Sequence, residues 1–150
     1  MADSSWGIDD PLCRGDHKDS VVPPVPDASP SIVRHVLYLD GRGRDTPFVS
    51  TTEDEDVAER FARPDGRVWY TLVSKIEAAE LRYISKAELL DLLRGKGKGD
   101  AAWPRASEVA AARALVEQNG EHLADFRRMK GRSAQDVEQC VSSLFTKERP

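Results

Sequence analysis

The sequence predicts an α+β domain. Three observations carry this: apolar, β-branched runs at 32–39 and 68–73, two capping boxes that each open an amphipathic stretch, and a third amphipathic stretch near the end. The 150 residues suit one domain with a real core. Charged residues make up 32% and hydrophobic ones 39%, an ordinary globular balance. A formal charge of -4 gives no general attraction to a polyanion, so nucleic acid and anionic membrane surfaces are not expected partners. No apolar run approaches the roughly 20 residues of a membrane-spanning helix, and the first residues lack the pattern of a secretory signal. Cys13 and Cys140 lie far apart in sequence and are read as free thiols.

Residues 1–30 hold five of the nine prolines and no apolar period, so they read as an extended or disordered N-terminal arm, with one domain over 31–150. Within the arm, Val21–Pro26 is expected in a polyproline conformation and Arg14-Gly15-Asp16 in an exposed turn. Residues 32–39 read as the first strand, stopped by Asp40-Gly41. Thr52-Glu53-Asp54-Glu55 forms a capping box ahead of the stripe Val57, Ala58, Phe61, Ala62, which Pro64-Asp65-Gly66 ends. Val68–Val73 has apolar or aromatic residues on both faces, the pattern of a central strand. Ser85-Lys86-Ala87-Glu88 caps a second helix rich in leucine and stopped by Gly95. The following Gly-Lys repeat lacks phosphate-loop spacing and reads as a flexible connector. Residues 107–116 fit a helix by propensity, although Glu108-Val109 also suits the start of a strand. Leu123, Phe126 and Met129 stand at helical spacing, and Ser133–Phe145 reads as a capped closing helix.

Little of the common site chemistry is present. His17, His35 and His122 have no cysteine or acid at metal spacing, so no metal is expected. Neither a Gly-x-Ser-x-Gly nor a Cys/His hydrolase signature occurs.

What stands out is the order of short motifs: Leu37-Tyr38, a basic turn, Phe48-Val49-Ser50-Thr51-Thr52, a helix with Ala58 and Phe61, a strand with Val68-Trp69-Tyr70, and Glu108-Val109. Over about residues 32–130 this resembles the mono-ADP-ribosyltransferase toxins of the cholera and pertussis type. Their pattern is an Arg ending the first strand, a Ser-Thr-Ser/Thr segment opening the next element, and a Glu followed by an apolar strand. The resemblance implies mixed β-sheets around a central cleft with flanking helices. It also implies NAD as the substrate that supplies ADP-ribose and a host protein as acceptor, in the setting of a secreted bacterial toxin or type III effector.

Carried over by position, Ser50, Thr51 and Thr52 match the serine segment and Glu108 the catalytic acid, while Tyr38 and Leu39 occupy the end of the expected first strand. A carboxylate there would hydrogen-bond a ribose hydroxyl and stabilise an oxocarbenium-like centre. The family has Leu-Tyr-Arg where this chain has Leu37-Tyr38-Leu39, so the phosphate-holding guanidinium is missing at that position and NAD binding is expected to be weak or absent. Arg34, Arg42 and Arg44 are the nearby substitutes. Arginine-modifying relatives carry a second acid two residues before the catalytic one, where this chain has Ala106. A second reading follows: a transferase-fold module that binds an arginine-containing peptide, with Arg14 of its own arm as one candidate occupant.

Overall fold

The computed structural model describes residues 6–39 and 45–150. The chain forms an α+β fold built on one open, five-stranded antiparallel sheet. In chain order the elements are β1 (Pro11–Asp16), α1 (Ile32–Leu37), β2 (Phe48–Thr52), α2 (Glu55–Ala62), β3 (Arg67–Leu72), α3 (Val73–Ala78), β4 (Arg82–Ile84), α4 (Lys86–Leu92), α5 (Ala106–Asn119), β5 (Glu121–Asp125) and α6 (Ala134–Leu144). The strands lie side by side in the order β3-β1-β2-β5-β4.

Both faces of the sheet are covered. On one side α3 and α6 place Val73, Ile76, Val137, Val141 and Leu144 against Leu12, Val49 and Ala124. On the other, α1, α4 and α5 bring Ile32, Val36, Leu89, Val109 and Val116 onto Phe48 and Leu123. Side chains alternate across each strand, so neighbouring residues of β2 and β5 serve different cores.

Four expectations are corrected. Residues 11–16 are not part of a detached arm: they form β1, an interior strand whose Leu12 and Cys13 are fully buried. Its six residues read as polar because only two of them face a core, and the neighbours on either side supply the rest of the pairing. Arg14-Gly15-Asp16 is accordingly strand rather than exposed turn. Within the run at 32–39, Ile32–Leu37 is helical, not the first strand. Ser31 caps it by accepting from the Arg34 N–H at 3.2 Å, and Ile32, Val33, His35 and Val36 are buried on one helical face. Tertiary packing overrides the β-preference of its branched residues. Glu121–Asp125 is a strand, not part of a helix. It is paired on both edges, and its polar residues are hidden because each finds a partner. Finally β3 is an edge strand rather than a central one. It pairs with β1 over six positions, and among the described residues its outer edge carries a two-bond bridge between Tyr70 and Thr146.

The capped helices at 85 and 133 form as their sequences predict. Ser85 Oγ accepts from the Glu88 N–H at 3.1 Å, and Ser133 Oγ from the Asp136 N–H at 3.0 Å. The cap near residue 52 falls two positions later than expected, at Asp54, because Thr52 completes β2. The Gly-Lys segment is held by backbone bonds, including Lys98 N–H to Leu92 O at 2.9 Å and Trp103 N–H to Lys96 O at 2.8 Å, rather than hanging as a connector. The question left open at 107–116 resolves as helix throughout. The expected Asp40-Gly41 turn, Arg42 and Arg44 lie outside the described residues.

Candidate functional site

The site begins where the sheet comes apart. β1 and β2 share a single registered pair, Cys13 with Thr52, and beyond it Arg14–Asp16 and Phe48–Ser50 diverge. A strand edge released in this way exposes backbone and side chains that a continued ladder would cover. Helix α2 closes one flank, and Gly15 makes that possible. A Cβ at Gly15 would stand 1.9 Å from the Ala58 carbonyl oxygen and 2.6 Å from the Ala62 nitrogen. Helix α1 closes the other flank with His35 and Tyr38. Two adjoining cavities of about 580 and 300 Å³ result, and both are lined by Arg14, Gly15, Tyr38, Ser50 and Phe61.

At their junction the polar groups form a continuous line. Arg14 donates through Nη1 to the Ser50 carbonyl oxygen at 2.8 Å and through Nε to Asp16 Oδ2 at 2.7 Å. The Ser50 hydroxyl donates to Glu121 Oε2 at 2.6 Å. His35 Nε2 lies 2.6 Å from the same Ser50 oxygen, and its Nδ1 lies 2.7 Å from Thr46 Oγ1. Because Ser50 has one proton and directs it at Glu121, His35 Nε2 must carry the proton on its side of the contact. Thr46 and His35 thus orient Ser50, and Ser50 orients the carboxylate.

Strand geometry explains how residues so far apart meet. Ser50 pairs with Leu123 and Thr52 with Glu121, so Ser50 and Glu121 are diagonal neighbours on one face of the sheet. The two threonines of the segment serve the frame. Thr51 Oγ1 donates to the His122 carbonyl at 3.1 Å, and Thr52 Oγ1 donates to the Asn119 carbonyl while accepting from the Asp54 N–H. Both line the smaller cavity, but their hydroxyls bolt β2 to its neighbours.

Behind Glu121, on the opposite face, His122 is buried in a second network. Its Nε2 donates to Glu53 Oε2 at 2.6 Å, while its Nδ1 lies 2.7 Å from the Tyr83 hydroxyl and accepts from the Lys86 backbone N–H at 3.2 Å. A backbone N–H can only donate, so this Nδ1 is held unprotonated. Burial holds the His122 pKa below the ordinary histidine range, opposed by the hydrogen bond and charge of Glu53. Cys13 lines the smaller cavity, but burial, with help from the Glu55 charge, pushes its thiol up to about 11. At neutral pH it is a packing group rather than a nucleophile.

The sequence-predicted residues separate in the fold. Ser50, Thr51, Thr52 and Tyr38 line the cleft, Tyr38 as the left-handed cap of α1 (φ 54°) stacked on Phe61 at 6.4 Å. Leu39 lines neither cavity and follows a helix rather than ending a strand, so it occupies no phosphate-anchor slot. Glu108 is also displaced. It sits in the first turn of α5, accepts from Trp103 Nε1 at 2.6 Å and pairs with Arg105. The cleft meets that helix further along, at Leu115 and Asn119, about 10 and 16 Å away at 1.5 Å per residue. Arg14 is no occupant of the cleft from a loose arm, being part of its wall.

Sequence reasoning missed Glu121, His35 and Asp16. The signal for Glu121 is the helix stop Asn119-Gly120 directly before Glu121-His122-Leu123-Ala124, an acid opening a short strand. Among the described residues no group of three or more His, Cys, Asp or Glu is arranged to hold a metal ion, and no helix is long and apolar enough to cross a membrane. No protein-family model, curated protein or solved structure matches this chain.

Proposed function

We propose that the cleft binds NAD and transfers its ADP-ribose to a protein side chain, with Arg14, Ser50 and Glu121 as the arginine, serine and glutamate of the transferase pattern. The observation that carries this reading is the hydrogen-bonded line from Arg14 through Ser50 to Glu121, drawn from β1, β2 and β5 to one point at the mouth of two cavities. Each residue suits a part of the chemistry. The Arg14 guanidinium offers N–H groups to pyrophosphate oxygens. Glu121, oriented by Ser50, stabilises positive charge on the ribose while the bond from C1′ to the nicotinamide nitrogen breaks. Nicotinamide leaves with the bonding pair and loses its ring charge. A lone pair of the acceptor then forms the new bond at C1′, and the acceptor's proton passes to Glu121 or to solvent.

Within this reading the ADP-ribosyltransferase-like fold, the toxin or type III effector setting and a host protein as acceptor are parts of the proposal. The alternative of a peptide-binding module without NAD use rests on Leu39, which lines neither cavity, and on Ala106 and Glu108, which stand in the first turn of α5.

Labelled NAD incubated with a host-cell lysate tests the proposal. Wild type is expected to label protein, Glu121→Gln to lose at least about a hundredfold in rate, and Glu108→Ala to stay within about twofold of wild type. No labelling together with no NAD binding at millimolar concentration would remove the reading, and loss of transfer in Glu108→Ala alone would reassign the acid.

A further inference from the structure

The Asp16 carboxylate, at the end of β1, accepts three hydrogen bonds. Oδ2 accepts from Arg14 Nε at 2.7 Å and from the Val22 N–H at 3.1 Å, and Oδ1 accepts from the His17 N–H at 2.8 Å. Its side chain is 6% exposed against 22% for Arg14. One buried carboxylate therefore takes the Nε edge of the guanidinium and ties the end of β1 to the Val22–Val25 wall of the larger cavity. With Nη1 given to the Ser50 carbonyl, the Nη2 end of Arg14 has no protein partner among the described residues.

We infer that Asp16 is a positioning residue and a built-in counter-charge: it aims the Nη2 end of Arg14 at an incoming phosphate and at the same time weakens the hold on that phosphate. The inference rests on the NAD reading for its biological ligand, while its anion chemistry stands on the Arg14–Asp16 geometry alone. An ion pair already made within the wall means that a pyrophosphate meets a half-neutralised cation. The carboxylate, 2.7 Å from the Nε of the same guanidinium, repels it, which favours release after transfer over tight retention.

Inorganic pyrophosphate and NAD, titrated calorimetrically into wild type, Asp16→Asn and Asp16→Ala, separate the two roles. The amide oxygen of Asp16→Asn still accepts from Arg14 Nε and the Val22 N–H, while its NH2 gives up only the His17 N–H bond and the charge is lost, so pyrophosphate is expected to bind about fivefold more tightly than to wild type. Asp16→Ala loses the aim as well and is expected to bind about tenfold more weakly than Asp16→Asn, with the Arg14 Nε–H resonance moved in the arginine side-chain NMR spectrum. If Asp16→Ala does not fold, the asparagine variant alone decides. Equal or weaker pyrophosphate binding by Asp16→Asn overturns the inference, as does absence of binding by both it and wild type. Pyrophosphate binding with the expected order but no NAD binding by any form leaves the counter-charge standing and removes the NAD reading.

Discussion

A serine with one proton and two hydrogen-bonded neighbours shows how much single residues decide in this cleft. Ser50 gives its proton to Glu121 and receives one from His35, so the direction of every bond in the line is set by the count of hydrogens. His122 shows the same logic on the far face of β5. Its Nδ1 must stay unprotonated to accept from Lys86, and burial lowers its pKa. The unfolded chain, with an ordinary histidine, then binds more protons than the folded one below about pH 6.5, so stability rises with pH in that window. Wild type is expected to lose stability as pH falls below about 6.5, with a contribution from His122 approaching 1.4 kcal/mol per pH unit at most. Urea denaturation of wild type and His122→Gln at pH 7.5, 6.5 and 5.5 checks this; equal pH slopes in the two proteins would refute it.

At the scale of elements, what a sequence can show depends on how local the cause is. Helices α4 and α6 were legible because a serine cap and a 3.6-residue period lie inside the segment itself. Helix α1 and strand β5 were not, because their states are set by neighbours. The apolar residues at 32, 33 and 36 do mark a helical face, but their β-branching argued the other way. In β5 the hidden residues are polar, and only the partners across the sheet, Ser50 and Glu53 among them, explain their burial. The candidate site shared this fate. The serine segment was readable as a motif, whereas Glu108 stands in a helix away from that segment and Glu121 carries no motif of its own.

Gly15 makes a further prediction for the contact between β1 and α2. With a Cβ placed 1.9 Å from a backbone carbonyl, Gly15→Ala must push the helix off the strand. Overpacking of this kind costs about 1–3 kcal/mol, and Arg14 would shift with the strand. A lower urea midpoint and weaker pyrophosphate binding are expected together, and an unchanged midpoint would show that the helix yields without cost.

For the molecule as a whole, the decisive fact is that the sheet's interior includes residues from the beginning of the chain. Deleting residues 1–30 as a dispensable arm would remove Leu12 and Cys13 from the cores, leave one edge of β3 and of β2 open, and delete Arg14 from the cleft. Loss of the cooperative thermal transition is expected for that truncation, followed by near-ultraviolet circular dichroism. A truncated chain that melts like wild type would restore the arm.

β1 also gives the protein an order of events. A nascent chain presents Arg14 long before β2, β3 and β5 exist to receive it, and the pairings that hold it span much of the sequence. Such distant contacts make folding slow compared with helix formation. The first strand must wait for its neighbours. The arginine, serine and glutamate come together only when the sheet closes, so folding itself is the step that arms the cleft.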